Sequence, residues 1–130
     1  MMQLPQDRLY TRDDLWVRAE DEGMYTLGLT EYGQEELGEL VFIELPALDH
    51  PVRLGQSVAV VESVKSVSEV VSPLAGVVVA ANARAHATPE LVNESPYEDG
   101  WIARIRAVSP PENLLSPAQY ASWRRLALPV

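Results

Sequence analysis

The chain has 130 residues, 47% hydrophobic and 22% charged, which supplies enough apolar surface for one core and argues against a disordered chain. Ten Lys and Arg stand against 19 Asp and Glu, and a net charge of −9 repels phosphate backbones and anionic bilayers, so nucleic acid and membrane drop out as partners. With no cysteine, the chain forms no disulfide, offers no thiolate to a metal and runs no thiol redox chemistry of its own.

Residues 1–10 lack the charged and apolar blocks of a secretion signal, and no apolar run approaches the roughly 20 residues of a membrane span; a cytoplasmic protein is the expectation. Short runs rich in valine and isoleucine, punctuated by Gly, Pro, Asn and Asp, predict strands over 15–19, 24–29, 40–45, 57–64, 67–71, 77–81 and 101–107. Thr30 is placed to cap a short helix running through Leu37, with Gly38 to end it. Ser116 followed by Pro117 starts a terminal helix reaching Ala127, in which Tyr120, Trp123 and Ala127 share a face and Arg124 and Arg125 occupy the last turns. This predicts a single domain over residues 1–130, with its core at about 9–108 and the helix at about 117–127.

Residues 61–70 form a palindrome about the bond between Lys65 and Ser66. A hairpin closing there pairs Val64 with Val67, Ser63 with Ser68, Glu62 with Glu69 and Val61 with Val70. A turn one residue earlier, on Val64 and Lys65, breaks the matching and still leaves Lys65 at the tip. Neither residue pair is the Asn-Gly type that two-residue loops favour, and the symmetric register sets two glutamates opposite each other. On the residues alone, Lys65 is either a solvated charge or a group displayed to a partner, and Glu62 and Glu69 are either solubilising or read by that partner. Gly55 and Gly76 read as turn glycines. His50 and His86 carry no motif, and without a nucleophile paired to a base or ligands at metal spacing nothing indicates a catalytic or metal site.

The run Glu62-Ser63-Val64-Lys65-Ser66-Val67, with Gly55 before it and Gly76 after it, resembles the lipoyl-attachment hairpin of the glycine cleavage system H-protein family. The resemblance extends over roughly residues 9–128: residues 28–34 and 37–46 look like the family's second strand, short helix and third strand, while 89–93 and 96–101 are similar to the segment before its last core strand. The helix at Thr30, the 96–101 run and the terminal helix separate it from other lipoyl domains, and Val64 and Ser66, in place of flanking methionines, separate it from biotin carriers.

The resemblance implies a mainly β, lipoyl-domain-like barrel-sandwich hybrid of two antiparallel sheets with a short helix and a C-terminal helix. It implies lipoate in amide linkage on Lys65, with Glu62, Val64, Ser66, Glu69 and Gly76 as the recognition residues of the hairpin and a lipoate ligase or octanoyl transferase as the modifying enzyme. The carrier then has no turnover of its own. The pyridoxal-phosphate P-protein (glycine decarboxylase) loads an aminomethyl group, the T-protein (aminomethyltransferase) removes the one-carbon unit to tetrahydrofolate, and the flavin L-protein (dihydrolipoamide dehydrogenase) reoxidises the dithiol. The family keeps the loaded arm in a shallow cleft beside the first strands and the helix, where methylene burial holds it loosely. Its usual His-Glu-Trp ahead of the first strand corresponds here to Asp14, Leu15 and Trp16, so the cleft glutamate is a leucine, and Glu69, Asp13 or Asp14 are the carboxylates left to replace it. Two alternatives remain: an H-like lipoyl carrier serving lipoate relay or another redox pathway, and an unmodified binding module of the same fold.

Overall fold

A computed structural model describes residues 3–126, so Ala127 lies outside the described residues. In chain order the elements are β1 (Leu9–Tyr10), β2 (Leu15–Ala19), β3 (Met24–Leu29), α1 (Glu31–Leu37), β4 (Leu40–Glu44), β5 (Pro51–Val52), β6 (Ser57–Ser63), β7 (Val67–Val71), β8 (Gly76–Ala81), α2 (Ala83–Ala87), α3 (Glu90–Glu94), β9 (Ala103–Ala107) and α4 (Pro117–Trp123). They form a six-stranded sheet, β1-β2-β3-β9-β8-β5, and a three-stranded sheet, β4-β6-β7. All the strand pairings are antiparallel.

Alternation along the strands decides what lies between the sheets. Leu15, Val17, Leu27, Leu29, Val78 and Ile105 point inward from the larger sheet, and Leu40, Ile43, Val61 and Val70 from the smaller one, making one apolar cluster. The two predicted helix starts form as read. Thr30 Oγ1 accepts from Gly33 N at 3.0 Å, and Gly38, at φ +87°, ends α1 with its N–H on Gln34 O. Ser116 and Gln119 close a reciprocal capping box on α4.

The terminal helix is shorter than the sequence suggests. It ends at Trp123, and Arg125 turns left-handed at φ 58°. Arg124 does not complement a helix dipole along an extended final turn; it reaches across to Asp14, Nε to Oδ1 at 2.6 Å and Nη2 to Oδ2 at 2.7 Å, and to Glu36 at 2.8 Å. Tyr120 OH donates to Asp14 Oδ1 at 2.7 Å, and its oxygen lies 2.8 Å from Thr30 Oγ1. The helix is thereby tied at once to the turn before β2 and to the start of α1. Arg124→Ala leaves the Asp14 carboxylate, itself only 19% exposed, without its cation, and should cost about 2 to 3 kcal/mol. Denaturant unfolding measures the loss, and a midpoint equal to wild type contradicts it.

Outside the larger sheet, Tyr10, Trp16, Tyr97, Leu115 and Tyr120 make a second cluster. Trp16 Nε1 donates to Pro96 O at 2.9 Å, Arg8 lies over the Trp16 ring, and Tyr10 stacks on Tyr120 at 4.9 Å. Burial raises the phenol pKa of Tyr10, Tyr97 and Tyr120. In the unfolded chain these phenols ionise near about 10, so above that pH the unfolded state releases protons that the fold retains, and stability falls as pH rises. The urea midpoint should drop between about pH 10 and 12, with a shallower slope in Tyr97→Phe; equal slopes refute this account.

Candidate functional site

The β6–β7 hairpin does not adopt the palindromic register. Val60 lies opposite Glu69, Val61 opposite Ser68 and Glu62 opposite Val67, so the two-residue turn is Val64 and Lys65 and the Glu62–Glu69 pair never forms. Both registers turn Val61 and Val70 inward, so core burial does not choose between them. The turn does. Ser63 N donates to Ser66 O at 2.8 Å, and the Ser63 hydroxyl accepts from Ser66 N at 3.0 Å and Lys65 N at 3.3 Å. Neither turn residue takes positive φ, which removes the need for Asn-Gly.

Lys65 is exposed at this tip, and among the described residues it enters no ion pair. Its stem lies over the corner between α1 and β4: a Cβ on Gly38 would stand 3.2 Å from Lys65 Cε and 3.7 Å from Nζ. Val64 N donates to Glu39 O at 3.1 Å, which leans the turn on the same corner. Asn93 of α3 fixes the corner from below. Its Oδ1 accepts from Leu40 N at 2.9 Å, and its Nδ2 donates to Gly38 O at 2.9 Å and Gln34 Oε1 at 2.7 Å.

Beside the corner opens a shallow cleft of about 470 Å³, lined by Gln34, Glu35, Gly38, Glu39, Glu90, Asn93 and Glu94. Its four carboxylates and two amides give it a negative, polar lining, so methylene burial is not what this surface offers. The first strands contribute nothing to it. Leu15 is 1% exposed in the main core, and Asp14 is committed to Arg124 and Tyr120; Asp13 is exposed but lies outside the lining.

Of the hairpin residues singled out in the sequence, Val64 and Ser66 flank Lys65 at the exposed tip, and Glu62 and Glu69 stand on the outer face of β6 and β7. Gly76 is elsewhere and is no turn glycine: it opens β8 in the other sheet, opposite Val52 and Ala107, where a Cβ would collide with Arg106 O. Sequence reading missed Gly38 as a contact of the lysine, and Asn93 and the carboxylates of α3 as its surroundings. It also passed over a plain signal: Lys65 is the only lysine in the sequence, the other nine of the ten Lys and Arg being arginine.

An exposed lysine on a hairpin turn of an antiparallel sandwich is a geometry in which a carrier domain can present a covalently attached arm. The family model described as "Glycine cleavage H-protein" matches residues 8–125, and the chain belongs to that family. A glycine cleavage system H protein of Nitratidesulfovibrio vulgaris (strain DSM 19637 / Miyazaki F) is 49% identical over 92% of this chain and 93% of its own. One from Rubrobacter xylanophilus is 45% identical over 97% of each. The crystal structure of a glycine cleavage system H protein from Mycobacterium marinum superposes with a TM-score of 0.88 at 34% identity, covering 94% of this chain and 99% of that one. Proteins of this family are lipoate carriers, components of a multienzyme system and not enzymes themselves. No helix among the described residues is long and apolar enough to cross a membrane.

Proposed function

We propose that this chain is a single lipoyl-carrier domain that bears lipoate on Lys65 and shuttles the aminomethyl group of glycine from the P-protein to the T-protein and electrons to the L-protein. The observation that carries the reading is an exposed ε-amine on a rigid turn in a chain with no second lysine. Acylation there converts a cation into a neutral amide, and no ion pair among the described residues is lost by it. When attached, lipoate would supply a disulfide that takes up the aminomethyl group together with two electrons from glycine, and a dithiol that gives those electrons to the flavin enzyme.

The chain's own residues do the positioning. Ser63 holds the turn, Gly38 leaves room for the lysine stem, and Asn93 keeps that corner in place. Glu35, Glu39, Glu90 and Glu94 set negative charge where a cationic amine at the end of the arm finds a counter-charge, in place of the family's cleft glutamate. Glu62, Val64, Ser66 and Glu69 are the side chains a lipoate ligase or octanoyl transferase meets on approaching the tip; Gly76 serves them through the fold. A cytoplasmic setting belongs to the same reading.

The test is reconstitution of glycine-dependent carbon dioxide exchange with the lipoylated chain and P-protein. Robust exchange supports the proposal. A second reading, lipoate relay without glycine cleavage, is favoured by the burial of Leu15 and the engagement of Asp14; a chain that is lipoylated and passes lipoate on, yet gives no exchange, establishes it.

A further inference from the structure

The strands divide their charges between the sheets. Arg18, Arg104 and Arg106 are the ionised residues of the six strands in the larger sheet, and Glu44, Glu62 and Glu69 those of the three strands in the smaller one. The cations are partly used at home: Arg18 pairs with Glu20 and Arg104 lies over Trp101. The three glutamates enter no ion pair among the described residues. The observed register sets them in a pattern. One row across the sheet reads Phe42, Glu62, Val67 and the next reads Glu44, Val60, Glu69. At strand spacings of about 4.8 Å, Glu44 and Glu69 lie about 10 Å apart with Val60 between them. Phe42 is 42% and Val67 63% exposed, and Phe42 is backed by the His86 ring at 5.7 Å.

Resting on the carrier reading, we propose that this outer face is the docking surface for a basic protein surface. Its occupant presents two or three Lys or Arg around an apolar spot, and it is the surface surrounding the pocket of an enzyme that receives the Lys65 arm. Charge complementarity selects that occupant: the face carries no cation, so a second copy of the chain, itself at −9, is repelled. Continuity adds to this, because the same two strands end in the lysine turn. A symmetric hairpin register would set Glu62 against Glu69 and break the alternation, so the register that Ser63 fixes is what lays out the pattern.

The experiment is calorimetric titration of the unlipoylated chain into P-protein holoenzyme, a binding measurement that does not depend on lipoate. The double variant Glu44→Lys/Glu69→Lys should weaken Kd at least tenfold at low salt and approach wild type near about 0.5 M salt, where screening is short-ranged. Phe42→Ala should weaken it at all salt concentrations, and Arg106→Glu, an exposed reversal on the other sheet, should not weaken it. An unchanged Kd in the double variant, equal weakening by Arg106→Glu, or no binding by the wild-type chain overturns the proposal, as does dimerisation through this face. Lipoylation of the wild-type chain is scored separately, so failure of the carrier reading is told apart from failure of the docking face.

Discussion

Lys65→Arg should reduce glycine-dependent carbon dioxide exchange to the level of P-protein alone, with no change in fold. Arginine keeps the positive charge and nearly the length of the side chain, but a guanidinium is not acylated by a ligase that acts on an amine. Lys65 is exposed and takes part in no ion pair among the described residues, so the exchange of side chains should alter stability by no more than about 0.5 kcal/mol. No other lysine remains to substitute for it. Exchange assays beside thermal melts check both halves. Residual exchange above background in a well-folded variant would mean that the arm is carried elsewhere.

Gly76→Ala should have the largest effect on stability. A Cβ at that position collides with Arg106 O and stands 2.9 Å from Ile105 Cγ2, and the first of these is backbone in the adjacent strand, which has no rotamer to change. Relief requires β8 and β9 to separate where Gly76 faces Ala107. We expect a cost of about 3 kcal/mol or more, a fall in melting temperature of about 10 °C for a chain this size. Lipoylation should fall only as far as the folded fraction does, and recover at low temperature. A variant that is fully folded and still refused by the ligase would show instead that Gly76 is read directly.

Strand pattern and helix starts were legible because they are local. The valine-rich runs in 57–63 and 67–71, the Thr30 cap with Gly38 beyond α1, and the Ser116-Pro117 start each rest on residues a few positions apart. The hairpin register was not, because the palindrome and the observed pairing bury the same valines and differ only in a hydroxyl closing a turn. Five-residue helices such as α2 and α3 are too short to show a helical period, and with them went Asn93, whose three bonds hold the corner beneath Lys65. Asp14 illustrates a longer reach: its role is set by Arg124, more than a hundred residues away, and no spacing in the sequence joins them. The palindrome placed the lysine at a hairpin tip, and family resemblance gave it a role, although its being the sole ε-amine in the chain was open to counting.

The most direct test is peptide mapping by mass spectrometry after incubation of the chain with lipoate ligase, ATP and lipoate. The carrier account predicts one lipoyl group per chain, on the peptide containing Lys65 and absent from Lys65→Arg. No mass gain beside a control substrate that the same ligase modifies, or lipoyl found only on the N-terminal amine, would contradict it.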